Sequence, residues 1–143
     1  MVEQGFRKKA LFICTHNSAR PQMAAGLLKH LSGDRFEAFS AGMDPSRVNP
    51  FAVKTMAEIG VDISHHCSRH VDAFKGERFD YVITVCDQAR ESCPFYPGAD
   101  HTLHWSFVDP SGASGNNGQK LEVFRTVRDQ IKKRIEEFLG PVS

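Results

Sequence analysis

The sequence predicts an α/β protein: one domain over residues 1–143, three layers deep, with a central four-stranded parallel sheet and helices on both faces. Three observations carry this. Short apolar runs alternate with amphipathic segments along the chain, as in parallel sheets whose crossovers are helices. The length of 143 residues and a hydrophobic content of 41% suit one packed core. No repeat or long linker divides the chain.

The elements follow in order. Residues 1–7 are polar and read as a frayed end. Lys9–Ile13 is the first strand, an apolar run. The first helix starts at Ser18 or Pro21 and runs to His30, with Met23, Leu27, Leu28 and Leu31 on its apolar face, and Ser32-Gly33-Asp34 ends it. Phe36–Ser40 is the second strand, and Ala41-Gly42 turns out of it. Asn49-Pro50 opens a second helix, Asn as cap and Pro in the first turn, with Phe51, Val53, Met56 and Ile59 along it and a stop at Gly60. Residues 61–78 read as loop, with a short helix near Val71–Phe74. Phe79–Val85 is the clearest strand. Asp87–Ser92 reads as a short helix or turn, Leu103–Phe107 as the last strand, and the Gly/Ser/Asn-rich residues 110–118 as a flexible loop. Leu121, Phe124, Val127, Ile131, Ile135 and Phe138 recur at spacings of three and four, marking the final helix.

The chemistry concentrates at Cys14-Thr15-His16-Asn17-Ser18-Ala19-Arg20, between the first strand and the first helix. A loop in that place aims backbone N–H groups at one point, and the helix N-terminus adds positive potential. The concavity suits a tetrahedral oxyanion. The same field favours a thiolate at Cys14, and the planar fork of Arg20 grips two anion oxygens at once. Ligands in such folds bind beyond the carboxyl ends of strands. Cys14 and Cys86 are both expected at such ends, and Asp109 follows the last strand, so the three can converge. On the residues alone, Asp109-Pro110 reads equally as a plain turn.

The formal net charge of +1 provides no general basic field for nucleic acid. No apolar run approaches the ~20 residues needed to cross a bilayer, and the apolar run before Cys14 is too short for a signal-peptide core. A cytoplasmic protein is the expectation. Four cysteines in a reducing compartment point to metal or redox chemistry, and their spacing forms no paired zinc knuckles, which favours redox or nucleophilic use. Cys67 lies among His65, His66 and His70; no metal site is expected there.

Cys14-Thr15-His16-Asn17-Ser18-Ala19-Arg20, Phe39-Ser40-Ala41-Gly42, Val48-Asn49-Pro50, Val61-Asp62-Ile63-Ser64, Val85-Cys86 with Cys93-Pro94, and Asp109-Pro110 together resemble the low-molecular-weight protein tyrosine phosphatase fold, whose phosphate loop has the C-x5-R pattern. Within it the chain most resembles the thioredoxin-coupled arsenate reductases. The resemblance implies catalytic Cys14, Cys86, Cys93, Arg20 and Asp109, with the oxyanion held by Thr15, His16, Asn17, Ser18, Ala19 and Arg20. Cys14 is the implied nucleophile and Asp109 the implied acid, while Asn17 and Ser18 are expected to orient the loop through side-chain hydrogen bonds. The implied relay passes from a Cys14 adduct to Cys86 and then Cys93. It ends in a Cys86–Cys93 disulfide that thioredoxin reduces, with a glutathione-linked route open. In a regular helix, residues seven apart lie about 10 Å apart along the axis, whereas disulfide Cα atoms lie about 5.5 Å apart, so the 86–93 segment must rearrange. Arsenate is the implied substrate, phosphate and sulfate its analogues, and a monomer without cofactor, metal, nucleic acid or membrane partner is expected.

Two readings stand beside this one. A phosphatase of the same fold would make Cys86 and Cys93 incidental and would show an aromatic-rich substrate wall. A non-catalytic oxyanion-binding or redox-sensing domain would bind without turnover. The sequence also departs from the family. Ala19 stands where many relatives carry another cysteine, and Pro21 replaces a hydroxyl residue that hydrogen-bonds the thiolate. Ala25 and Arg69 replace acidic residues that help hold a potassium ion in some relatives, so no such potassium site is expected.

Overall fold

The structure, a computed structural model, describes residues 7–86 and 96–140. Four strands, β1 (Lys8–Cys14), β2 (Phe36–Gly42), β3 (Phe79–Thr84) and β4 (Ala99–His104), form one sheet in the order β2-β1-β3-β4. Every neighbouring pair is parallel. The helices are α1 (Arg20–Ser32), α2 (Pro50–Ala57) and α3 (Asn117–Leu139), with 3-10 turns at Val71–Phe74 and Pro110–Gly112.

The strand order contains a switch point. From β1 the chain passes outward to β2 on one side and later to β3 on the other, so a crevice opens between the carboxyl ends of β1 and β3. Cys14 is the last residue of β1, and Cys86 follows β3 by two residues. The two ends are tied by the Val85 N–H, which donates to the Ile13 carbonyl at 3.0 Å.

Two apolar clusters hold the sheet. On one face Ala10, Phe12, Ile83 and Val85 pack with Met23, Leu27 and Leu28 of α1, Ala52 and Met56 of α2, and Phe124, Val127, Ile131 and Ile135 of α3. On the other, Leu11, Ile13, Phe79 and Val82 pack with Tyr96 and with Val71 and Phe74 of the 3-10 helix. Helix α1 is more buried than an amphipathic stripe requires: every residue from Arg20 to Leu28 is inside. Its small residues permit this. A Cβ on Gly26 would stand 2.6 Å from the Ile63 Cγ2 methyl.

Three expectations are corrected. The last strand is Ala99–His104, not Leu103–Phe107. It is an edge strand of mostly exposed polar residues, so its backbone pairing to β3 leaves no apolar signature, whereas Trp105 and Phe107 are buried from the segment that follows it. The 110–118 stretch is also more ordered than its composition implies. Asp109 caps the turn at Pro110–Gly112, and Asn116 and Gln119 form a reciprocal capping box with both bonds at 2.9 Å. In addition, β2 extends through Ala41 and Gly42, which the sequence places in a turn.

Helices α2 and α3 are joined by a carboxylate between two arginines. Glu58 accepts from Arg125 at 2.8 Å and from Arg128 at 2.9 Å, and Arg128 also donates to the Thr55 carbonyl at 2.9 Å. Hydrogen bonds from Arg125, seconded by Arg128, hold the Glu58 carboxyl at about 2, below its ordinary 4.5. A depressed folded-state value means that the bridge stabilises the fold above about pH 4.5 and that this contribution is lost as pH falls toward 2. Glu58→Gln should therefore lower the urea midpoint at neutral pH and narrow its gap to the parent protein through that acid window. A gap independent of pH would remove the charge from the account.

Candidate active site

The loop from Cys14 to Arg20 follows directly from β1 and delivers the chain into α1. Cys14 is 3% exposed and Arg20 3% exposed, so a thiol and a guanidinium are both enclosed at the switch point. The Asn17 N–H donates to the Cys14 Sγ at 3.4 Å. This supplies a backbone donor to the sulfur in a chain where Pro21 offers no hydroxyl. Pro21 itself sits in the first turn of α1, where a missing N–H costs nothing. Ala19 is the N-cap and has no side-chain oxygen to cap the helix, so the positive end of α1 opens toward the loop.

Cys14, Arg20 and Asp109 share one cavity of ≈ 210 Å³, with His16, Ser18, Ala19, Ser46, Asn49 and Ser111. Arg20 Nη1 donates to the Phe107 carbonyl at 3.0 Å, and Nη2 lies 3.6 Å from Asp109 Oδ2. Asp109 is held from behind, its Oδ1 accepting from the Ser111 N–H at 2.9 Å. The other carboxylate oxygen is thus turned toward Arg20 and the cavity. The cavity holds a cation, a carboxyl group and a sulfur within a polar rim, and among the described lining residues His16 is the one ring side chain.

The structure brings Cys14, His16, Ser18, Ala19, Arg20 and Asp109 of the expected set to one cavity. Thr15 and Asn17 belong to the loop but do not line the cavity. The expected side-chain bond from Asn17 is not what holds the loop: the buried Asn17 carboxamide makes no hydrogen bond among the described residues. Asn17 instead adopts φ +50°, a left-handed turn that asparagine tolerates better than most residues. Backbone bonds do the holding: Asp44 N–H to Thr15 O at 2.7 Å, Ser46 N–H to His16 O at 3.1 Å and Asn49 N–H to Ser18 O at 2.9 Å. His16 Nδ1 donates to the Asp44 carbonyl at 3.1 Å. Cys86 is fully buried in the same apolar cluster as Cys14 and does not line the cavity. Cys93, and the helix or turn expected over 87–92, lie outside the described residues. Among the described residues no group of three His, Cys, Asp or Glu side chains could hold a metal ion.

Sequence reasoning missed four contributors. Gln22 is fully buried and donates to the carbonyls of Asn17 and Cys67, both at 3.1 Å. A glutamine among the apolar residues of a helix start was the signal. Ser111, two residues after Asp109, completes an Asx turn whose pattern is readable from sequence. Ser46 lines the cavity with no sequence signal. Gly42 is the most constrained. A Cβ there would stand 2.7 Å from the Thr15 carbonyl oxygen and 2.9 Å from the Asn17 nitrogen, both backbone atoms of the loop. Gly42→Ala should therefore displace the loop, costing about 1–3 kcal/mol of stability as overpacking does and weakening protection of Cys14 from alkylation by phosphate. A variant with unchanged melting temperature and unchanged protection would show that the contact yields freely.

Residues 9–143 match the family of low molecular weight phosphotyrosine protein phosphatases. An arsenate reductase of Halalkalibacterium halodurans is 45% identical over 132 residues, covering 92% of this chain and 95% of that protein. A solved structure of an arsenate reductase in the phosphate binding state has a TM-score of 0.79 at 37% identity, covering 95% of this chain and 99% of that one. A second, of an arsenate reductase in the oxidized state, has a TM-score of 0.76 at 36% identity with the same coverage.

Proposed function

The chain belongs to the low molecular weight phosphotyrosine protein phosphatase family, and from that premise we propose that it reduces arsenate to arsenite through Cys14, Cys86 and Cys93, with thioredoxin restoring the reduced enzyme. It works as one domain, as a monomer in the cytoplasm, in arsenic detoxification. The observation that carries the reading is the meeting of Cys14, Arg20 and Asp109 in a small polar cavity beside a second buried cysteine on the adjoining strand end. Phosphate and sulfate, with the same tetrahedral shape and charge, occupy the same cradle as arsenate.

The chemistry follows from these positions. The anion seats against the loop N–H groups and the Arg20 fork. The Cys14 thiolate attacks arsenic, and Asp109, whose Oδ2 faces the cavity, protonates the departing oxygen so that water leaves. The Cys86 thiolate then attacks the Cys14 sulfur. The electrons of the S–As bond pass to arsenic, arsenite departs, and a Cys14–Cys86 disulfide remains. Cys93 attacks Cys86, returns the Cys14 thiolate and leaves a Cys86–Cys93 disulfide, which a dithiol partner reduces by exchange. Two thiols supply the two electrons that arsenic gains.

Asp109→Asn should lower kcat by about a hundredfold or more, the usual loss for a general acid, with little change in KM; unchanged turnover would remove Asp109 from the chemistry. The decisive assay is arsenate-dependent NADPH oxidation with thioredoxin and its reductase, run beside a glutathione–glutaredoxin system and an aryl phosphate hydrolysis assay. Turnover with thioredoxin supports the proposal. Turnover only with glutathione reassigns the reductant, and vigorous aryl phosphate hydrolysis without arsenate reduction makes the protein a phosphatase.

A further inference from the structure

A second cleft, of ≈ 330 Å³, lies between α1, β2 and the segment His65–Arg69, and it shares no lining residue with the Cys14 cavity. Lys29, His65, His66 and Arg69 line it, and among the described residues no Asp or Glu does. Lys29 and Arg69 have no ion-pair partner among the described residues, so their charges are not neutralised by a neighbouring carboxylate. The neighbouring acid, Asp62, is turned to Ser64, accepting from its hydroxyl at 2.6 Å and its N–H at 2.9 Å. Basic side chains gathered around a concavity with no carboxylate in its wall repel one another until an anion enters. Burial pushes the His66 pKa down, and the charges of His65 and Lys29 push the same way against a smaller opposing pull from Asp62.

The cleft has a fixed floor. Gln22 gives both protons of its amide nitrogen to carbonyls, those of Asn17 and Cys67, so its oxygen must face His66 Nδ1, 3.1 Å away. That contact requires a proton on His66 Nδ1 and leaves Nε2 as the nitrogen that titrates. The wall also has an apolar part, formed by Ala38, Phe39 and Phe74.

We propose that this cleft is a second anion site, taking a tetrahedral dianion of the phosphate type on Lys29, Arg69 and the two histidines, either bare or as the head of an organic ester whose apolar part rests on Phe39 and Phe74. The site is joined to the catalytic loop. Gln22 bridges cleft and loop through the Asn17 carbonyl, and the Ser68 hydroxyl donates to the His16 carbonyl at 3.1 Å. The Gly42 N–H donates to the Arg69 carbonyl at 2.9 Å. The inference does not depend on the reductase reading, because no residue of the relay takes part.

The test is calorimetric titration of the reduced full-length protein with inorganic phosphate and, separately, with phenyl phosphate. Protection of Cys14 from alkylation is followed in parallel to count the catalytic site on its own. Two sites are expected, the second filling without further protection of Cys14 and shifting the ring resonances of His65 and His66. Tighter binding of phenyl phosphate to that second site identifies an ester ligand, and equal or weaker binding a bare ion. Lys29→Gln with Arg69→Gln should weaken the second site roughly tenfold or more, the loss of charge-assisted contacts, and leave Cys14 protection unchanged. A single site in the parent protein, or a second site indifferent to the double substitution, overturns the assignment.

Discussion

Cys86→Ser protein given one equivalent of arsenate is expected to release no arsenite, while Cys93→Ser protein is expected to release one equivalent and stop. The difference follows from electron counting. Cys14 alone forms an adduct but cannot reduce arsenic; a second sulfur must take the Cys14 sulfur and leave its bond electrons on arsenic. Cys86 stands at the strand end next to Cys14, so its loss removes the redox step and turnover falls to the assay floor. Losing Cys93 spares that first round but leaves a Cys14–Cys86 disulfide between two buried residues, 3% and 0% exposed, out of reach of a protein reductant. The parent protein after arsenate should instead carry Cys86–Cys93. If residues 87–92 form the short helix or turn the sequence predicts, amide exchange over 86–93 should then accelerate relative to the reduced form. Peptide mapping of the three proteins settles the matter. Cys93 found as a thiol in oxidised parent protein would end the three-cysteine relay and leave a two-cysteine, glutathione-assisted reductase or a phosphatase.

Arg20→Lys should raise the KM for arsenate by about tenfold, since one of two charge-assisted hydrogen bonds of roughly 1.5 kcal/mol is lost and 1.4 kcal/mol is tenfold. Arg20 is buried, with one nitrogen anchored on the Phe107 carbonyl and another facing Asp109. A lysine ammonium can take the place of one of those nitrogens but cannot present a planar pair of donors. Phosphate protection of Cys14 should weaken by the same factor as KM rises. A variant in which kcat falls and KM and protection stay constant would move Arg20 from anion binding to transition-state stabilisation.

Much of this architecture was readable before any coordinates, because the signals were local. A five-residue loop between a buried strand and a helix start needs only the residues 9–28 to be recognised, and Asn49-Pro50 declares the start of α2 by its own chemistry: the Asn49 side chain accepts from the Phe51 N–H at 2.8 Å. What escaped was whatever depended on pairing across the sheet. Strand β4 is set mainly by hydrogen bonding to β3, with Ala99 and Leu103 its only apolar residues against the core, whereas the strongly apolar Trp105 and Phe107 lie beyond it. Gly42 reads as a turn residue from its neighbours alone; the reason it is glycine is the approach of loop backbone from a distant part of the chain. Gln22 and Ser46 escaped in the same way, since their partners are remote carbonyls and a cavity wall.

The hydrogen bond from Val85 to Ile13 at 3.0 Å has a kinetic consequence. It joins the strand ends bearing Cys14 and Cys86 within one rigid ladder, so that in the proposed relay the second thiol reacts as a neighbour and not as a solute. Well-oriented intramolecular groups reach effective molarities on the order of 10⁵ M. No dissolved thiol at cellular concentration can outrun a partner held that way. The first disulfide should therefore form at a rate independent of protein dilution and of added monothiol, leaving external reductants to compete only for the disulfide that comes after it.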